Sequence, residues 1–141
     1  MKETEREARR WYQQALDDLR FVEWVLQEGR FFDKGCFIVQ QAGEKALKSC
    51  LYASGSRHVY GHSLLDACAE LRAHSPSFAE VEEQTKRLDR FYIPTRYPNG
   101  LPGGLPFQSY SEKDLADALE DLRRVFSVCE GYLRQLGVDV A

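Results

Sequence analysis

The segment that decides the fold is residues 36–53, CFIVQQAGEKALKSCLYA. At about 100° per residue, the rotation of an α-helix, one side of this segment carries small and apolar side chains. They are Ile38, Val39, Ala42, Gly43, Ala46, Cys50 and Ala53. Small side chains let the axes of neighbouring helices come close together. The segment therefore predicts a helix that packs closely against others.

The opposite side of the same helix combines polar and apolar residues. It carries Gln40, Gln41, Glu44, Lys45 and Lys48, with Phe37, Leu51 and Tyr52 between them. A side that meets only solvent does not need so many apolar residues. Two interpretations stay open: a polar site or partner interface, or an ordinary exposed surface in which Glu44 and Lys48 form an i, i+4 pair.

The length and composition of the chain fit one domain. Its 141 residues are 43% hydrophobic, which is enough for a single core. The formal net charge is -3, and this argues against an overall electrostatic attraction to nucleic acid or to an anionic membrane. Since there is no helix-turn-helix spacing and no basic stripe, we expect no sequence-specific DNA binding.

We expect a cytoplasmic protein that needs no metal or cofactor and does not enter a membrane. The N-terminal stretch MKETEREARRWYQQ is too charged for a signal peptide, and no uncharged run is long enough to span a bilayer. Cys36, Cys50, Cys68 and Cys129 show no metal-ligand spacing, so we interpret them as reduced core residues. The histidines are not arranged as a helical metal-binding pair either.

Helical periodicity continues on both sides of the central segment. Residues 4–27 repeat apolar side chains on one face, and Gly29 ends that pattern. Ser63 can cap a further helix, and residues 78–90 give a weaker helical pattern after a break at residues 75–77. These regions predict helices that pack beside the central one.

The last helix has the most regular pattern. Ser111 can cap it, and its apolar residues alternate four and three positions apart until Gly137. They are Leu115, Leu119, Leu122, Phe126, Cys129, Leu133 and Leu136. Such a heptad seam suits either the core of a bundle or a dimer interface.

Residues 91–110, FYIPTRYPNGLPGGLPFQSY, form a long loop before the last helix. Their prolines and glycines exclude a regular helix or a central strand, while the aromatic residues favour a loop whose first half packs. Arg96 is its only charged residue. It either satisfies carbonyl groups of the loop or contacts an anion or nucleotide. The fold class is therefore all-α: an up-and-down bundle of four long helices plus a short helix, with this Pro/Gly-rich loop before the last one.

Four sequence motifs together resemble a known family. They are A-x-x-D-L at residues 15–19, F-x-x-Q-Q-A-x-E-K-A-L-K at 37–48, G-H-S-L at 61–64 and Y-I-P-T-R-Y-P at 92–98. In this order and spacing they resemble the HEPN domain (higher eukaryotes and prokaryotes nucleotide-binding) over nearly the whole chain. The resemblance implies a helical bundle that dimerises, that is often encoded beside a small nucleotidyltransferase, and that acts in nucleotide binding or RNA cleavage.

Members of that family that cut RNA carry an arginine and, after four to six intervening residues, a histidine. Arg57 and His62 fit this spacing, but they lie between the second and third predicted helices, whereas the family's nucleases carry the motif near the start of a later helix. Around residues 91–98, where the motif is expected, Arg96 has no histidine after it. A histidine can act as general base or acid in metal-independent RNA cleavage, and an arginine can hold the phosphate.

Two main hypotheses follow for the function. The first is a dimeric, non-catalytic module that binds a nucleotide, a small nucleotidyltransferase partner, or both, through Lys45, Lys48, His62, Arg96 and Tyr97. The alternative is a metal-independent, toxin-like ribonuclease in which Arg57 and His62 are catalytic and Arg96 supports the phosphate. A structural adaptor without any ligand is a third possibility, in which His62 only packs at the entry to a helix.

Overall fold

The computed structural model of this chain describes residues 3–140 and contains six α-helices. They are α1 (Glu3–Glu28), α2 (Phe32–Ala53), α3 (Leu64–Arg72), α4 (Glu82–Asp89), α5 (Pro106–Ser109) and α6 (Glu112–Gln135). Two 3-10 helices, Pro76–Val81 and Pro98–Gly100, lie between them. Residues 3–140 contain no strand, and the prediction of an all-α fold is confirmed.

Helix α2 is the central helix of the fold. It packs against α1 along its length and also contacts α3, α4, α5 and α6. Its small residues allow this close packing. A Cβ atom built at Gly35 would lie 2.8 Å from Leu115 in α6 and 3.2 Å from Val25 in α1, and one built at Gly43 would lie 2.5 Å from Leu64 in α3. Helices therefore surround α2, and several of its polar residues, among them Gln40, Glu44 and Lys48, are buried.

The lengths of the helices differ from the prediction in two places. Helix α2 begins at Phe32, earlier than the segment 36–53 from which it was predicted, because Phe31 takes a left-handed conformation (φ 63°) directly before it. The predicted break at residues 75–77 is present, but the helices on either side of it, α3 and α4, are short, and the chain after the break begins as a 3-10 helix at Pro76. Residues 3–140 thus contain three long helices, where four were predicted.

Both predicted N-caps, at Ser63 and Ser111, are present. The hydroxyl of Ser63 accepts a hydrogen bond from the backbone N–H of Asp66. Ser111 and Asp114 form a reciprocal capping box at the start of α6. Each cap fixes the residue at which its helix begins, and the first one also fixes the position of His62 next to it.

The heptad seam of α6 lies in the core of the bundle. Its first six members are buried, and the seventh, Leu136, is 45% exposed. The helix packs against α2, α4 and α1 through this face. Of the two predicted roles for the seam, the structure selects the bundle core, because residues that are already covered within one chain are not free to pair with a second copy.

The four cysteines are reduced and buried, as predicted. Burial, together with the nearby carboxylates of Asp114 and Asp33, raises the pKa of the Cys36 thiol to about 12. This thiol is therefore uncharged at neutral pH and acts as a small apolar residue. No helix within residues 3–140 has the length and apolar character needed to cross a membrane.

Candidate functional site

The segment from Phe91 to Tyr110 was predicted as a loop, but it contains the 3-10 helix Pro98–Gly100 and the short helix α5 (Pro106–Ser109). Both begin at a proline, which is tolerated in the first turn of a helix. Contacts in the first turns of the loop order it. Thr95 is buried, and its hydroxyl donates a hydrogen bond to the carbonyl of Phe91. The Nε–H of Arg96 donates to the carbonyl of Tyr92 at 2.8 Å. The first half of the loop is therefore packed, as expected, and Arg96 does satisfy a loop carbonyl.

The guanidinium of Arg96 also lies against three aromatic rings. Its Cζ atom is 4.5 Å from the ring centre of Phe37, 4.6 Å from that of Tyr92 and 5.0 Å from that of Tyr97. Such contacts are cation–π interactions, which hold a guanidinium in place without using its N–H donors. Within residues 3–140 the two terminal nitrogens of Arg96 have no hydrogen-bond partner. We call Phe37, His62, Tyr92, Arg96 and Tyr97 the Arg96 cluster.

His62 joins this cluster through Tyr92. The two rings stack with their centres 5.1 Å apart and their planes 18° from parallel. On its other side, Nδ1 of His62 lies 3.3 Å from a carboxylate oxygen of Glu44, and 60% of the His62 side chain is exposed. The fully buried Gln40 donates a hydrogen bond to the carbonyl of His62 at 2.8 Å. The polar side of α2 thus holds both the backbone and the ring of this histidine.

The two lysines of the predicted binding set do not reach the Arg96 cluster. Lys48 pairs with Glu44 at 2.9 Å, and both side chains are 9% exposed. Lys45 pairs with Asp18 of α1 at 2.6 Å. Each ammonium group is therefore already neutralised within the chain. Lys48 still connects to His62 through the shared carboxylate of Glu44, whereas Lys45 faces a different helix.

Arg57 also lies apart from His62. It is exposed and lines an open groove between α1 and α2 that also includes Trp11 and Tyr52. No hydrogen bond or ring contact within the described part of the chain joins Arg57 to His62. The structure thus brings His62 and Arg96 to one tyrosine ring, while Arg57 lines a separate groove.

Asp89 is a residue of this region that sequence reasoning did not single out. Its carboxylate accepts hydrogen bonds from the backbone N–H groups of Leu64 and Leu65 and from the hydroxyl of Ser63. It thereby caps α3 from the end of α4 and fixes the chain just after His62. Its position at the end of a weak helical pattern gave no local signal of this role.

The acidic and sulfur-containing side chains do not build a metal site in the part of the chain that is described. No group of three or more histidine, cysteine, aspartate or glutamate residues within 3–140 has the arrangement needed to hold an ion. The chemistry of the Arg96 cluster is therefore that of aromatic rings, a guanidinium and an imidazole paired with a carboxylate.

The family is shown by comparison with known domains. The HEPN domain matches residues 8–132, which is most of the chain. The chain therefore belongs to the HEPN family, in agreement with its helical fold and with the four motifs in its sequence.

Two solved structures and one protein sequence are similar to this chain. The crystal structure of TT1696 from Thermus thermophilus is 36% identical, with a TM-score of 0.83, over 89% of this chain and 98% of that chain. The structure of ST0689, described as an archaeal HEPN homologue, is 29% identical, with a TM-score of 0.72, over 96% and 99% of the two chains. A protein of Methanocaldococcus jannaschii named Putative toxin MJ1304 is 24% identical over 91% of this chain and 89% of its own length.

Proposed function

We propose that this protein is a dimeric HEPN module that binds a nucleotide at the Arg96 cluster and assembles with a small nucleotidyltransferase, without catalysing a reaction itself. The nucleotide proposal rests on the way in which the guanidinium of Arg96 is positioned. Three aromatic rings and one carbonyl position its guanidinium, and its terminal nitrogens have no partner within residues 3–140.

The phosphate is the part of the nucleotide that Arg96 suits. A guanidinium that is already oriented loses little conformational freedom when it forms two parallel hydrogen bonds to an anion. His62 lies on the same tyrosine ring and adds a second donor when its ring is protonated. Tyr97, which is 49% exposed, offers a ring face for the base.

The proposal of a partner rests on family membership and on the relative's name. A protein named as a toxin is expected to be held in check by a second protein, and the family resemblance implies a nucleotidyltransferase in that role. Mixing the purified protein with such an enzyme and measuring the mass of the complex by light scattering tests this part. Two separate elution peaks at micromolar concentrations would reject it.

Isothermal titration calorimetry with ATP tests the nucleotide proposal. We expect saturable binding to the wild-type protein and at least about tenfold weaker binding to Arg96→Gln, since a charged hydrogen bond contributes about 1.5–3 kcal/mol. Arg124→Gln is the matched control, because it removes the same charge from an exposed pair on α6. Equal affinities of wild type and Arg96→Gln would reject the site.

RNA cleavage is the second candidate, and one specific contact favours it. Nδ1 of the exposed His62 is 3.3 Å from Glu44, and a carboxylate at this position orients an imidazole for proton transfer. Purified wild type and His62→Ala are compared on mixed cellular RNA in EDTA. Cleavage by the wild type alone supports this candidate, and equal RNA integrity in both samples rejects it.

A further inference from the structure

The groove that contains Arg57 has a volume of about 930 Å³. It lies between the first three turns of α1 and the last turn of α2 with the loop that follows. Its walls include Glu3, Glu7, Arg10, Trp11, Tyr52 and Arg57, and we call it the Trp11 groove. It shares no residue with the Arg96 cluster. Its size falls within the range of small-molecule sites.

Two aromatic rings form the apolar wall of this groove. The rings of Trp11 and Tyr52 lie 5.8 Å apart with their planes 32° from parallel, and both side chains are half-buried. The ammonium group of Lys48 lies 5.6 Å from the Trp11 ring centre, and its charge is balanced by Glu44. The indole is thus held in place by α2, and the ring wall is built before any ligand arrives.

Some of the charged side chains around the groove are paired with each other, and others are not. Glu7 and Arg10 pair with each other at 2.9 Å. Arg57 has no hydrogen bond or ion pair with any residue of the described chain, and it is exposed. Glu3 stands at the start of α1, at the other side of the same groove. A ligand here therefore meets a free guanidinium and a separate carboxylate, with aromatic rings in the wall.

The tyrosine hydroxyl adds a neutral donor to this set. Partial burial raises the pKa of Tyr52, and the nearby Glu7 and Tyr60 raise it further. The hydroxyl therefore keeps its proton at neutral pH and does not add negative charge to the groove.

We propose that the Trp11 groove binds a planar aromatic molecule that carries an anionic group, with its ring against Trp11 and Tyr52 and its anion at Arg57. Stacking on an aromatic wall supplies affinity for the ring, and the unpaired guanidinium supplies it for a phosphate or carboxylate. Glu3 accepts hydrogen bonds from donors on the ligand. This site is independent of the Arg96 cluster, and it gives a role to an arginine that has no contact with His62.

Tryptophan fluorescence tests this proposal directly. The chain has two tryptophans, and Trp24 is exposed on α1 where it contacts Phe21. In a Trp24→Phe background Trp11 is the sole tryptophan, so quenching reports on the surroundings of Trp11. The probes are AMP, for an anionic nucleotide, nicotinate, for a free aromatic carboxylate, and adenosine, which has the ring without the anion.

The proposal predicts saturable quenching by AMP, by nicotinate or by both, and which probe binds identifies the source of the anion. In the same background, Arg57→Gln is expected to weaken this binding at least about tenfold, and Arg57→Lys to keep part of it. Arg72→Gln, which removes a charge from an exposed pair on α3, is expected to leave it unchanged.

Three outcomes would overturn the proposal: no saturable quenching by either anion, equal affinities in the Arg57→Gln variant, or binding of adenosine as tight as that of the anionic probe that binds. Arg96→Gln separates this site from the Arg96 cluster, since it weakens only binding at the cluster. Circular dichroism of each variant confirms that it is folded. A negative result for the Trp11 groove therefore does not affect the proposed function. A negative result for the Arg96 cluster does not affect the proposal for the groove.

Discussion

At the scale of single residues, charge is mostly neutralised where it is buried. Glu44 is shared between Lys48 and His62, and Lys45 is held by Asp18. Removing one member of such a set leaves its partner without a counter-charge, which costs more than the pair contributes. Arg96 differs, because aromatic rings position it while its terminal nitrogens have no partner in the described chain. This contrast is the reason for placing the anion at Arg96 and not at the lysines.

The buried thiol of Cys36 makes stability depend on pH in the alkaline range. Its pKa is raised from about 9 to about 12, so the folded protein keeps a proton that the unfolded chain releases. The stabilisation is complete below about pH 9 and is lost as the pH rises towards 12. Between about pH 9 and 12, the titration of this thiol lowers the free energy of unfolding by about 1.4 kcal/mol per pH unit.

Urea unfolding between pH 8 and 11 measures this effect. Cys36→Ala is expected to be less stable than the wild type at pH 8 but to lose less stability as the pH rises. Val39→Ala, on the same buried side of α2, shortens a side chain that does not titrate and is expected to keep the wild-type slope. Parallel curves for Cys36→Ala and the wild type would contradict the assignment.

At the scale of the helices, packing around α2 depends on positions that lack a side chain. Gly35 lies against Leu115 and Val25, whereas a Cβ built at Gly131 in α6 would meet nothing within 4 Å apart from its chain neighbours and the backbone of its own helix. The same substitution is therefore expected to have opposite effects at the two sites. In Gly35→Ala a gain of about 1 kcal/mol in helix propensity competes with about 1–3 kcal/mol of overpacking.

Thermal unfolding of two single variants tests this contrast. Gly35→Ala is expected to lower the free energy of unfolding by about 1 kcal/mol, and Gly131→Ala to raise it by about 0.5–1 kcal/mol. The second variant is the control for helix propensity alone. A stabilised Gly35→Ala would mean that α1 and α6 can move away from α2 at little cost.

The helical segments and their N-caps can be predicted well from the sequence, because both depend on residues that are close together in the chain. The periodicity identifies the buried stripes of α1 and α6, and Ser63 and Ser111 do cap their helices. The start of α2 was missed, since it depends on the left-handed conformation of Phe31, which a phenylalanine rarely adopts. The role of Asp89 was missed because it contacts residues about 25 positions earlier in the chain.

At the scale of the whole molecule, the candidate site was only partly predictable for the same reason. His62, Arg96 and Tyr97 were all singled out from the sequence, and the structure brings them together. His62 and Arg96 both contact the ring of Tyr92, and Arg96 also contacts the ring of Tyr97. Where Lys45 and Arg57 lie depends on how α1 packs against α2 and on the loop after α2, and spacing along the chain contains no information about that.

Because the heptad seam of α6 is buried in the core of one chain, we expect the proposed dimer to use another surface. Leu122 is fully buried and lies against Gly43 of α2. Leu122→Ala is expected to lower the free energy of unfolding by about 2–5 kcal/mol without changing the oligomeric state of the folded protein. Sedimentation velocity under conditions where both proteins are folded measures this. Folded monomers in the variant beside dimers in the wild type would place the interface on α6.

The side-chain NMR signals of the arginines show whether a nucleotide phosphate binds Arg96. The Nε–Hε signal of Arg96 is identified by its absence in Arg96→Gln and followed during titration with ATP. Binding at the cluster predicts a saturable shift of this signal together with the ring signals of His62. If ATP saturates the protein while the Arg96 signal stays in place, or shifts the Arg57 signal instead, the assignment of the nucleotide to the Arg96 cluster is wrong.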